Sequence, residues 1–473
     1  VRFREHAPPL ACTRIAVMAA PVPTGSRWLR LSAWLRSQGL VRALYRPLPR
    51  AWREKVSSAM AGSVVEQLRF ARTSAWSQPI QRPAAPTVRP SEPGAPGLNV
   101  FGHFSGEFGL AEVARAYARA LAGNGVPVAL VDIGAPGNGA DPHLARYHDA
   151  SAPHAVNLVC TNPDDFSEVL DRIGSARLQG KPLLASWFWE LEAIPEAWQP
   201  AIARVDGIVV ATQFIQDAFA RACSTPLFHV PVPMHAAVDS GLQRSDFGLE
   251  EAPFLFLYSF DFNSWMQRKN PGAVIAAFRA AFPPGDRSVR LLLKTSHGHR
   301  HPEQLQTLLS LAGADDRVQV RDDLIAPAHV AALQRCCDAF VSLHRSEGLG
   351  LGMAECMAIG KPVIATAWSG NLDFMTAQNS LLVDAQLVPV QPGDYPGDPR
   401  ARWADADIDQ AALAMRRVRG EPALAGALGA QARTDIHKTL SSAACASGLR
   451  SAITHLLERT SLPGDRHSQQ RVS

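Results

Sequence analysis

Cysteine is scarce in this chain and has no useful spacing. Seven occur in 473 residues, at 12, 160, 223, 336, 337, 356 and 445, with no C-x-x-C pair and no His/Cys ligand spacing. That argues against a zinc site and a disulfide framework, and it fits a reducing cytosol. Long apolar runs are missing too. No stretch of about 18 apolar residues occurs, so no spanning helix is expected, and Ile15-Ala16-Val17-Met18-Ala19-Ala20 is a poor signal-peptide core. The early glycines 102, 106 and 109 do not read G-x-G-x-x-G, which disfavours nicotinamide chemistry. What the chain does have is length and apolar content. At 473 residues and 47% hydrophobic it exceeds one ordinary core, and two domains with appendages are expected.

The net charge of +4 hides an asymmetry. Residues 1–96 carry fifteen Lys/Arg against four Asp/Glu, a balance of +11, which leaves −7 for residues 97–473. Within the basic part, Trp28, Leu31, Leu35, Val41, Leu44 and Tyr45 recur near helical spacing beside Arg27, Arg30, Arg36, Arg42 and Arg46. Two readings stand side by side: an interfacial helix on an anionic membrane surface, or a helix packed on the main body with its arginines solvated. No nucleic-acid-binding motif accompanies the charge, and no nucleic acid is expected as partner. Residues 1–77 are thus a basic, partly helical extension. Residues 78–97, with prolines at 79, 83, 86, 90, 93 and 96, form a Pro-rich linker of extended character.

From Leu98 short apolar runs alternate with helical stretches. The runs fall at 98–101, 126–133, 155–159, 182–187, 207–211 and 227–232, and after a polar break near 239–253 a second series begins at 254–260, 289–293, 318–320, 339–343, 362–365 and 381–383. Strand and helix in alternation imply right-handed βαβ crossovers and a parallel sheet covered on both faces. The expected fold class is therefore α/β. Two doubly wound, Rossmann-like units, 98–245 and 246–440, face a cleft; 441–460 forms a closing helix returning to the first, and 461–473 is a disordered tail. In such sheets ligands bind beyond the carboxyl ends of the strands.

The densest functional signal is Glu347-Gly348-Leu349-Gly350-Leu351-Gly352-Met353-Ala354-Glu355, directly after the run 339–343. Strand, glycine-rich turn and helix leave free backbone N–H groups at a helix start, where an anion gains ~0.3–1 kcal/mol. Two carboxylates so close would repel phosphate and are better aimed at the hydroxyls of a sugar nucleotide. Arg268 and Lys269 precede Asn270-Pro271, an N-cap and first-turn pair, and two cations there suit a diphosphate. Lys294, after Leu291-Leu292-Leu293, reaches the same cleft or stays solvated. Gly370 and Asn371, beyond the run 362–365, either face the donor through backbone N–H groups or simply lead into a short helix. A glycosidase is disfavoured, because this spacing does not by itself face two carboxyls across one bond at ~5–9.5 Å.

These elements, with Gly360-Lys361-Pro362-Val363-Ile364-Ala365-Thr366, resemble the family 4 (group 1) retaining glycosyltransferases of GT-B architecture over about residues 98–460. The loop from Gly102 to Leu110, Trp187-Phe188-Trp189-Glu190-Leu191-Glu192 and Ala211-Thr212-Gln213-Phe214 are similar to cleft-lining stretches of that group. The resemblance implies transfer of a hexose from a GDP- or UDP-sugar, used as substrate, to a carbohydrate or lipid-linked acceptor in surface polysaccharide or lipopolysaccharide synthesis. It implies no metal and no further cofactor. Residue by residue it implies that Glu347 holds sugar hydroxyls near the anomeric carbon and Glu355 the ribose hydroxyls. Gly348, Leu349 and Gly350 offer N–H groups, and Arg268 and Lys269 neutralise the leaving diphosphate. Relatives often place a histidine near the anomeric centre, where this chain has Ser186-Trp187-Phe188-Trp189-Glu190. His103, Gly106, Glu107, Trp187 and Glu190 are the first-domain candidates, some for the acceptor. The expected place is the cytoplasm, peripheral on the inner membrane face; the rival is a non-catalytic sugar-nucleotide-binding or scaffolding protein on the same fold.

Overall fold

The computed structural model describes Trp34, Trp52 and residues 64–80, 96–106, 108–134, 141–234, 238–397 and 400–461. The amphipathic positions from Arg27 to Arg46 named above, most of the Pro-rich linker, the tail beyond 461 and Glu107 lie outside these residues.

Two six-stranded parallel sheets form the framework. The first comprises β1 (Leu98–Gly102), β2 (Val128–Asp132), β3 (Val156–Val159), β4 (Leu183–Ser186), β5 (Gly207–Val210) and β6 (Leu227–His229), in the order β2-β1-β3-β4-β5-β6. The second comprises β7 (Phe254–Asp261), β8 (Val289–Ser296), β9 (Val318–Asp322), β10 (Ala339–Ser342), β11 (Val363–Thr366) and β12 (Leu381–Val383), in the order β12-β11-β10-β7-β8-β9. β1, β3, β4, β5, β8, β10 and β11 are buried at every position, as strands covered on both faces by helices must be. One pair of strands was not expected. β13 (Ala385–Pro389) and β14 (Arg402–Ala406) make an antiparallel ribbon beside the second sheet.

The two units are tied together. The last helix, Ser442–Ser461, packs on the helix Gly109–Gly123 and on β6 of the first unit, and Arg450 donates to the Asn124 carbonyl at 3.2 Å. Residues 64–80, at the end of the basic extension, join the second unit rather than standing apart. Trp76 packs between Phe247 and His329, with ring centroids at 5.3 and 4.7 Å, and donates from Nε1 to the Asp246 carbonyl. Arg72 pairs with Asp323 at 2.6 Å. Phe70 and Trp76 supply the apolar anchors that a charge count of the extension overlooks.

Candidate active site

Each sheet reverses strand order beside its first strand. In the second sheet β7 has β8 on one side and β10 on the other, so the loops leaving β7 and β10 splay apart into a crevice at the carboxyl edge. Arg268 and Lys269 stand on the first of these loops and Glu347 on the second. Asn270 does not cap the following helix, Pro271–Ala281. It adopts a left-handed backbone (φ 53°), and its Nδ2 donates to the Leu343 carbonyl at 3.1 Å, tying one loop to the other. Arg268 and Lys269 accordingly end a one-turn helix, Met266–Lys269, before that residue.

The loops assemble one ionic cluster. Lys269 Nζ lies 2.5 Å from Glu347 Oε1, Arg268 Nη1 lies 3.1 Å from Glu347 Oε2, and Arg268 Nη2 reaches Glu190 of the first unit at 3.7 Å. Burial alone would raise the Glu347 pKa, but Lys269 and Arg268 outweigh it and hold the carboxyl at about 2. Burial pulls Lys269 down, while Glu347 favours its charged form; with the carboxylate ionised at 2.5 Å the pair is ionic. The cations are thus already matched by two carboxylates, rather than standing free for a diphosphate. Arg268 Nε and Ser346 Oγ are among the buried donor groups that lack a hydrogen-bond partner among the described residues.

The glycine-rich turn completes this side. Among the described residues, the N–H groups of Gly348, Leu349, Gly350 and Leu351 find no backbone acceptor, and they open the helix Leu351–Ala358. Gly350 holds φ at 94°, open to glycine and strained for other residues. Of the two parts expected of Gly370 it takes the second, opening the short helix Gly370–Asp373. Its N–H donates to the Glu347 carbonyl at 2.9 Å, and a Cβ there would stand 2.1 Å from the Gly348 oxygen, so it packs the turn instead of facing the donor. The Asn371 side chain is fully buried, donating to the Thr366 carbonyl and meeting His344, and it too supports the loop from behind.

Glu355 sits on the second turn of that helix and accepts from Gln334 Nε2 at 2.7 Å. Burial pushes its pKa up to about 7, against the Gln334 hydrogen bond, and Glu112 of the first unit adds to the rise. Lys294 lies within β8 instead of following it, between Ser259 of β7 and Arg321 of β9. It is buried, which lowers its pKa, and the carboxylates of Asp322, Asp261, Asp323 and Glu355 counter that effect.

Among the first-unit candidates, Glu190 joins the cluster, and Trp187 is corrected. Trp187 is fully buried, packed on Phe166 and Phe219 at 5.2 and 5.8 Å, because the loop after β4 turns this ring into the core. His103 packs on Phe108 at 5.3 Å, and burial lowers its pKa against Asp132. Gly106 gives its carbonyl to Arg115, and a Cβ there would meet the Phe108 ring at 2.6 Å. That loop faces the helix start, since a Cβ on Gly109 would lie 3.8 Å from Leu351. Thr212 Oγ1 donates to the Gly348 carbonyl at 2.9 Å, pinning the turn to the first unit. Tyr395 escaped sequence reading. It lies between β13 and β14 in a Pro/Gly-rich stretch that reads as plain loop, yet its hydroxyl donates to Glu190 at 2.5 Å and its ring lies 5.7 Å from the Arg268 guanidinium.

Residues 261–391, the span holding both site loops, match the family described as glycosyl transferases group 1. The two-sheet fold has the GT-B architecture, and the matched segment lies within its second unit. Sucrose-phosphate synthase from Thermosynechococcus elongatus superposes with a TM-score of 0.52 at 18% identity, over 77% of this chain and 100% of that one. Anabaena HepE in complex with UDP and glucose gives 0.51 at 15% identity, over 76% and 100%. S. aureus TarM gives 0.47 at 12% identity over 66% of this chain, which spans 57% of TarM. These likenesses concern the fold. No curated protein sequence matches the chain.

Proposed function

We propose that the protein transfers a hexose from a nucleotide sugar to a carbohydrate or lipid-linked acceptor, with retention at the anomeric carbon and without a metal. The observation that carries this is the four-membered cluster of Arg268, Lys269, Glu347 and Glu190, set against the free N–H groups of 348–351 at the sheet's reversal point. The N–H groups receive the diphosphate. Arg268 and Lys269 share their charge between the carboxylates and the phosphate as negative charge grows on it. Glu347 holds sugar hydroxyls, and Glu355 accepts from the ribose. The acceptor oxygen bonds to the anomeric carbon as the bond to phosphate breaks; the electron pair and the acceptor's proton go to the departing phosphate oxygen. Preorganised charge at a leaving group is the dominant source of rate in such a site. The +11 balance of residues 1–96 suits an anionic membrane surface and hence a lipid-linked acceptor in surface polysaccharide or lipopolysaccharide assembly at the cytoplasmic face.

Incubation with UDP-glucose, GDP-mannose and related donors plus a lipid-linked oligosaccharide tests this reading. Nucleotide release that depends on acceptor supports it, whereas no release from any donor favours the non-catalytic sugar-nucleotide-binding alternative. HepE, solved with UDP and glucose, makes uridine donors the first choice.

Glu355 makes the binding step pH-dependent. With its carboxyl near 7, ionisation falls about tenfold from pH 8 to pH 6. Affinity for UDP-glucose, whose diphosphate does not titrate there, should fall by up to about tenfold over that range, and Glu355→Gln should flatten the profile. The sign for stability runs the other way. A carboxyl raised in the folded state keeps its proton longer than in the unfolded chain, so stability drops as pH rises from about 4.5 to about 7. Glu355→Gln should remove that decline in urea melts, and a decline that persists would count against the assignment.

A further inference from the structure

Trp265 stands where a tryptophan is poorly suited. Its backbone is at φ 65° and ψ 104°, outside the left-handed helical well and in a positive-φ range that residues with side chains rarely adopt, and its side chain is 38% exposed. The local bonds that hold it are ordinary: Trp265 N–H donates to the Phe262 carbonyl at 3.3 Å, and Lys269 N–H donates back to the Trp265 carbonyl at 3.1 Å. None of them needs an indole. The indole meets the Tyr395 ring edge-on at 5.8 Å and 72°. Tyr395 in turn lies 5.6 Å from Trp189 of the first unit and hydrogen-bonds Glu190, the carboxylate paired with Arg268. A strained, half-exposed indole therefore stands one ring away from the ionic cluster, at a junction built from both units.

We infer that Trp265 and Tyr395 form a stacking platform for a saccharide ring of the acceptor, with Glu190 accepting from its hydroxyl groups. Sugar rings present C–H faces to aromatic rings and hydroxyl edges to carboxylates, and this junction offers both side by side. The contact of Tyr395 with Trp189 and Glu190 of the first unit suits the acceptor better than the donor. Besides its ring, Tyr395 contributes the hydroxyl that orients Glu190. The assignment to an acceptor rests on the transfer reaction proposed above.

The test uses Trp265→Gly in the full chain. Glycine relieves the backbone strain, so its melting temperature should equal or exceed that of the wild type; a clear fall would make Trp265 a packing residue and overturn the proposal. Saturation-transfer NMR with methyl glycosides of glucose, mannose, galactose and N-acetylglucosamine, UDP being present, should show transfer to at least one in the wild type. That transfer should be lost in Trp265→Gly and retained in Trp265→Phe. No transfer in the wild type, or equal transfer in Trp265→Gly, overturns it. UDP affinity, read separately, should be unchanged by the substitution. Failure of UDP to bind the wild type would instead strike the transferase reading, with the glycoside result still deciding the platform.

Discussion

Glu347→Gln should lower turnover by about 10²- to 10³-fold and also destabilise the fold by ~3–5 kcal/mol. The role that the sequence resemblance implies for Glu347 would depress turnover far more than folding. The structure shows why both suffer: Glu347 is buried between Arg268 and Lys269, so glutamine leaves Lys269 without a carboxylate and Arg268 with the more distant Glu190 alone. The pH dependence gives a check. A carboxyl held at about 2, below its unfolded value, contributes stability fully present above about 4.5 and lost as pH falls toward about 2. The gap between wild type and Glu347→Gln in urea melts should therefore be widest near neutrality and narrow in acid. A gap that is constant with pH would mean that the ion pair is not what Glu347 contributes.

The double variant Glu347→Gln/Lys269→Met should separate the two roles. Arg268 keeps Glu190 at 3.7 Å and no cation is left without a carboxylate, so much of the lost stability, about 2–3 kcal/mol, should return. Turnover should stay at the floor, because a sugar-holding carboxylate and a diphosphate-facing ammonium are both gone. Recovery of activity along with stability would show that the cluster is structural, leaving catalysis to other groups.

The sheet framework was legible because parallel strands buried on both faces are continuous apolar runs, and twelve such runs fall in the order a doubly wound pair requires. The glycine-rich turn was legible for a related reason: strand, glycines and helix start constrain one another within a dozen residues. What stayed hidden depends on distance in the chain. Glu190 and Arg268 meet across the cleft, and Tyr395 reaches Glu190 over 205 residues of sequence. No local pattern marks such a pairing. The ribbon β13–β14 was missed since its strands flank a Pro/Gly-rich stretch and its burial is mixed, which erases the period-two signal. Gly370 read equally as donor-facing, because strand ends do face the cleft, and as the entry to a short helix; that its N–H is taken by the Glu347 carbonyl is a fact only coordinates reveal. The strap at 64–80 was obscured by the charge around it, although two aromatic residues fix it to the second unit.

The central claim is that this cluster and helix start hold the diphosphate of a nucleotide sugar. Calorimetric titration of the wild type and Lys269→Met with UDP-glucose, GDP-mannose, ADP-glucose and dTDP-glucose addresses it most directly. Saturable one-to-one binding of at least one donor is predicted, weakened about ten- to a hundredfold in Lys269→Met, as loss of a charge-assisted hydrogen bond worth ~1.5–3 kcal/mol requires. Binding of none of the four, or equal binding by the two proteins, would contradict the account.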